Sequence, residues 1–171
     1  MTLSGINSYT GVTAVDAGTV IVTNNSGLGS TTGGTTVASG AVLDLNNVTV
    51  GAENLTLAGG TLKDVTSSLA GDITLTANSS LVATNVGDTL TLSGVIKESG
   101  GSFGITKSGA GTVVLTNANT YTGATNISAG TLSLSGIGSI ATSSGVVNAG
   151  TFDISTTTSG ASIKTVTGGG S

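Results

Sequence analysis

The chain has 171 residues, enough for one domain, and Gly, Thr, Ser and Asn supply 96 of them, while charged residues are only 7% and the formal net charge is −4. It contains no His, Cys, Arg, Trp or Pro. These absences exclude a Cys/His metal site and any Ser-His or Cys-His nucleophile pair, and an acidic chain without Arg does not track phosphates, so nucleic acid is excluded as a partner.

The four dominant residue types are poor helix formers, which argues against a helical protein. Disorder is the other reading of such a composition. It fails because mean hydropathy is +0.40 and hydrophobic residues are 37%, set in short alternating runs. The expected class is therefore all-β.

In chain order, Met1-Thr2-Leu3-Ser4-Gly5 has neither the basic nor the apolar region of a signal peptide, so the sequence reads as a piece of a longer chain. No apolar run approaches the ~20 residues of a membrane helix, and the chain is not expected to span a membrane. A turn-to-strand element, Gly-small-apolar-x-apolar, then opens at Gly18, Gly40 and Gly60 and again at Gly111, Gly130 and Gly150. Its spacings are 22 and 20, then 19 and 20. Between the two groups lie further strand candidates at Asn54–Leu57, Asp72–Leu75, Ser80–Ala83 and Thr89–Leu92. A second self-similarity overlies these. Asn7-Ser8-Tyr9-Thr10-Gly11-Val12-Thr13 and Gly18 match Asn119-Thr120-Tyr121-Thr122-Gly123-Ala124-Thr125 and Gly130 at an offset of 112.

Units of about 20 residues that cannot bury an apolar face alone imply a solenoid, with parallel sheets running along a narrow core. Period-2 alternation places Val20 and Val22, Leu55 and Leu57, Leu90 and Leu92, and Leu132 and Leu134 inward, with Thr and Ser between them outward. The missing Pro suits strands that must all donate ladder N–H groups. The 29 Gly are expected to supply positive φ at corners. At about 4.8 Å per coil, eight coils would form a rod about 40 Å long.

The stretch from Lys107 to Gly136 resembles the autotransporter-associated β-strand repeat, through Gly109, Gly111, Thr112, Val113, Leu115, Asn119, Tyr121, Gly123, Thr125, Ile127, Gly130, Leu132 and Leu134. A partial copy over residues 4–22 carries Asn7, Tyr9, Gly11 and Gly18. The resemblance implies a right-handed parallel β-helix over residues 1–171, drawn from the exported, cell-surface passenger of a Gram-negative autotransporter. It also implies partners in the same parent chain, a translocator barrel and an effector region. The function it implies is a non-catalytic stalk that supports display and export. Two other readings stand beside this one: a filament subunit that stacks on itself through uncapped coils, and an adhesin with a glycan- or protein-binding face.

No catalytic, cofactor or metal residues are expected. The eight acids (Asp16, Asp44, Glu53, Asp64, Asp72, Asp88, Glu98 and Asp153) are read as solvated outward charges. Asp44 and Asp153 occupy similar places in their repeats but fall about five coils apart, roughly 25 Å, too far for a glycosidase pair. Asp64 and Asp72 could approach across a corner. Asp44-Leu45-Asn46-Asn47 lacks the ligand spacing of a calcium loop. Asn46, Asn47, Asn78 and Asn119 are read as corner residues, and the repeated Tyr9 and Tyr121 as packing residues whose hydroxyls find a local partner. The irregular stretch around Gly100–Gly104 interrupts the pattern, with Phe103 over the core, and Lys97, Glu98, Phe103 and Lys107 form the candidate surface contact.

Overall fold

A computed structural model describes residues 1–171, and every regular element in it is a β-strand. The strands form three sheets, and every strand pairing in them is parallel. The chain winds through the three faces in a fixed order. The first face holds nine strands, among them Thr19–Val22, Val42–Asn46, Thr61–Val65, Ser79–Ala83 and Ile105–Ser108. The second runs from Thr13–Val15 through Thr35–Ala38, Leu55–Ala58 and Ile73–Ala77 to Ile96–Glu98. The third holds six, including Ser67–Leu69, Thr89–Leu92, Thr112–Leu115 and Thr131–Gly136. This is the parallel β-solenoid that the repeats imply, with about eight turns of roughly 20 residues.

Alternation along each strand becomes columns along the axis. On the first face Val20, Leu43, Leu62 and Leu81 stand in register on successive coils. On the third, Val50, Leu69, Leu92, Leu115 and Leu134 do the same, and on the second Val15, Val37, Leu57 and Leu75. All of these side chains are buried and belong to one apolar cluster that runs the length of the rod. Each buried leucine contributes about 1.5–3 kcal/mol relative to exposure. The strands expected in the middle of the chain are all present, at Leu55–Ala58, Ile73–Ala77, Ser79–Ala83 and Thr89–Leu92.

The corners stack as strictly as the strands. Of 93 backbone hydrogen bonds, 44 lie outside the regular strand ladders, and many join a corner to the one a coil away, such as Ala70 N–H to the Val50 carbonyl and Ser128 N–H to that of Lys107. This stacking corrects the reading of the glycines. Positive φ occurs at only 13 of the 29, Gly18, Gly109 and Gly130 among them. Others are glycine for space. A Cβ at Gly71 would run into the Glu53 carbonyl, one at Gly94 into that of Gly71, and one at Gly123 into the backbone at Phe103 and Gly104.

The repeats are also phased differently from their sequence order. The elements opening at Gly18, Gly40 and Gly60 enter the first face, whereas those at Gly111, Gly130 and Gly150 enter the third. The offset of 112 is thus not a whole number of coils. Thr13–Val15 lies on the second face, but its counterpart Thr125–Ile127 lies on the first. The repeated unit specifies a local corner and the strand that follows it, and it is used at two different places around the axis.

Gly71→Ala and Gly51→Ala separate space from conformation, because a Cβ at Gly51 meets nothing within 4 Å. Gly71→Ala is expected to lower unfolding stability by about 2 kcal/mol or more, and Gly51→Ala to change it by less than about 0.5 kcal/mol. Denaturant titration followed by circular dichroism measures both.

Candidate functional site

The repeated residues make the same contacts in both copies. Asn7 Nδ2 donates to the Gly27 carbonyl at 2.7 Å, and Asn119 Nδ2 donates to the Ser139 carbonyl at 3.0 Å, each 20 residues on. The Tyr9 hydroxyl meets Thr13 Oγ1 at 2.7 Å, and the Tyr121 hydroxyl meets Thr125 Oγ1 at the same distance. Asn119 also accepts the Ile96 N–H at 2.8 Å, which joins its coil to the preceding one. Tyr121 is wholly buried and Tyr9 is 39% exposed, because Tyr9 lies in the first coil, which has a neighbour on one side only. Burial drives the Tyr121 hydroxyl well above its ordinary pKa, so it stays neutral. These residues build corners.

Lys97, Glu98, Phe103 and Lys107 do not form one surface. Lys97 is exposed and pairs with Asp72 at 2.8 Å. Glu98 accepts the Phe103 N–H at 2.7 Å and the Thr122 hydroxyl at 2.6 Å, which ties down the irregular stretch and holds its carboxyl below the usual value. Phe103 packs on the core, as expected. Lys107 is a correction: it is fully buried, in the column below Leu81 and above Ile127. Its ammonium donates to the carbonyls of Ser108 and Gly109, both at 2.9 Å, and of Ala129 at 3.1 Å. Desolvation lowers its pKa to about 8.

The acids are the second correction. Asp16 is exposed, but Asp44, Glu53, Asp64 and Asp88 are all buried. Asp44 lies on the outer side of its strand yet is covered by Lys63 from the next coil, which pairs with it. Glu53 accepts the Thr35 hydroxyl at 2.7 Å through one oxygen, while the other has no partner, and burial raises its pKa. Asp88 accepts the backbone and side-chain N–H groups of Asn85 at 2.8 and 3.0 Å. Asp64 points inward between Leu45 and Ala83, and neither of its oxygens has a hydrogen bond of ordinary geometry. Desolvation raises its pKa to about 6, helped by the charges of Asp88 and Asp44 and opposed by the nearby Ser67 hydroxyl and Thr66 N–H.

Two further placements of the acids differ from the sequence reading. Asp72 takes Lys97 and the Val95 N–H instead of approaching Asp64. Asp44 and Asp153 lie on different faces, the first and the third, so their places are not equivalent. Asp153 accepts the Ser155 N–H at 2.9 Å, and its pKa is lowered. The surface carries three shallow grooves. The largest, of about 380 Å³, is lined by side chains that include Asn47, Thr66, Ser67, Thr89 and Thr91.

Fold and corners together define a class: an all-β parallel solenoid built from a portable corner repeat. Against known families, residues 1–22 and 105–134 match the passenger-associated-transport-repeat. The chain is 34% identical over 130 residues to the "Adhesin BmaC autotransporter" of Brucella suis biovar 1 (strain 1330). That alignment covers 74% of this chain and 3% of the relative. No solved structure matches. The chain is of the autotransporter passenger type and carries this repeat.

Asp64 gives a pH test. Its folded pKa of about 6 lies above the ordinary aspartate value of 3.8, so between these two pH values the folded state holds a proton that the unfolded chain has released. Its stabilising contribution is complete below the lower value and is lost as pH rises through the upper one. In buffer free of divalent ions, the melting midpoint is expected to rise by about 3 °C between about pH 7.5 and about pH 5. Asp64→Asn removes most of that rise. Thermal melts followed by circular dichroism check both.

Proposed function

We propose that this chain is a structural stalk segment of a secreted or cell-surface autotransporter, without catalytic activity of its own, that supports the display and export of an effector or adhesive region. The observation that carries the reading is the single apolar cluster that extends along the axis through residues from Val15 to Val146, with Asp64 and Lys107 as charged residues set among its columns. Each coil is stabilised mainly by its two neighbours, so folding can proceed coil by coil as a chain emerges. Such folding outside a membrane would draw the remaining chain outward. The titratable groups support a structural role, since Lys107, Asp44 and Glu98 are spent on neighbouring coils.

A second reading is an adhesin with a binding face, which is favoured by the name of the Brucella relative. In the parent passenger, deletion of these 171 residues separates the two readings. A stalk predicts that surface-displayed passenger falls severalfold while binding per displayed molecule is unchanged. Lost binding at unchanged display would instead assign the adhesive face to this segment. Flow cytometry with an epitope upstream measures display, and a cell-adhesion assay on the same cells measures binding.

A further inference from the structure

The two copies of the corner make matching contacts on their downstream side and differ upstream. In the second copy the upstream side is occupied by Ile96–Glu98, the last strand of the second face. Asn119 Oδ1 accepts the Ile96 N–H at 2.8 Å, and the Thr120 N–H donates to the Ile96 carbonyl at 2.9 Å. The Thr122 hydroxyl donates to Glu98 at 2.6 Å, and the Gly123 N–H donates to the Phe103 carbonyl at 3.1 Å. At the offset of 112 the same groups belong to Asn7, Ser8, Thr10 and Gly11. There Asn7 Oδ1, the Ser8 and Gly11 N–H groups and the Thr10 hydroxyl have no hydrogen-bond partner in the chain.

Gly11 is a second, independent observation. Its counterpart Gly123 is glycine for space, because a Cβ would run into the backbone at Phe103 and Gly104. A Cβ at Gly11 would meet nothing within 4 Å, and its φ is not in the left-handed region. Neither space nor conformation within the chain requires glycine at this position. What it keeps clear is the path that a backbone takes across Gly123. The face is also defined. The first corner lies between Thr2–Leu3 on the first face and Thr13–Val15 on the second, so it fills the place of a third-face strand. Where the third sheet itself begins, at Thr49–Val50, an Asn side chain again meets a strand edge: the Thr49 N–H donates to Asn25 Oδ1 at 2.8 Å.

We propose that the upstream side of the first corner is a docking site for one extended strand, supplied by the passenger upstream of it. The strand lies on the third face and has the pattern apolar-x-acidic followed by a Gly-rich bend, of which Ile96–Gly104 is the internal example. Its apolar residue enters the core, as Ile96 does, and its N–H and carbonyl join Asn7 and Ser8. The acid accepts the Thr10 hydroxyl, and a carbonyl of the bend accepts the Gly11 N–H. The corner is thus a receptor for the edge of a sheet, which it pairs and brings to an end. This assignment concerns how the rod is joined and holds for a stalk and an adhesin alike.

The test places a second copy of residues 93–112 ahead of Met1 in the whole chain. The added Ile then stands 23 residues before Asn7, as Ile96 stands before Asn119. Amide hydrogen exchange at Ser8 and Gly11, followed by NMR, is expected to slow at least about tenfold, and the melting midpoint to rise by several degrees. The same 20 added residues in scrambled order leave both unchanged. Gly11→Ala leaves the midpoint of the 171-residue chain unchanged but abolishes the gain in the extended chain. Unchanged exchange at Ser8 and Gly11 in the extended chain overturns the proposal, whether or not the added residues become ordered elsewhere. Equal protection by the scrambled extension overturns it too, as does an extended chain whose gain survives Gly11→Ala.

Discussion

Everything in this molecule depends on the repeat distance between parallel strands. Once coil follows coil at about 4.8 Å, each inward side chain has two fixed neighbours, one above and one below, and must match both in shape and polarity. The leucine columns satisfy that rule, and the fully apolar columns span most of the axis. The same distance governs the corners. No Cβ fits where the Glu53 carbonyl approaches Gly71, and side chains such as Asn119 take up backbone donors that no strand partner reaches. Core and corner are therefore two results of one spacing.

Much of this was legible in the sequence. The alternation of Val20 with Val22 and of Leu132 with Leu134, the spacing of the glycines and the lack of Pro pointed to stacked parallel strands, and the strands fall where those patterns place them. The corner repeat was legible too, because Asn-x-Tyr-x-Gly-x-Thr keeps its order in both copies. The face on which each copy sits was not. Coil lengths vary, and only the pairing register determines whether an offset of 112 closes a whole number of turns.

The buried charges were misread although a signal for them existed. Asp64 has the same parity as Leu62 in its strand, and Lys107 the same parity as Ile105. Period-2 counting alone puts both inside, against the outward placement that their charge suggests. Asp44 was beyond parity. It stands outward between Leu43 and Leu45, and its burial comes from Lys63, a residue of the next coil whose alignment appears only with the register. Lys107 survives in an aliphatic column because its flexible stem carries the ammonium to three carbonyls.

The use of one corner on two faces has an evolutionary consequence. Genetic exchange between copies of such a unit is not confined to whole-turn insertions. A segment that adds a third of a turn still enters and leaves through corners the chain already knows how to make. What changes is orientation: every surface downstream is rotated by one face relative to every surface upstream. Lengthening of this kind turns one end of the rod about its axis relative to the other.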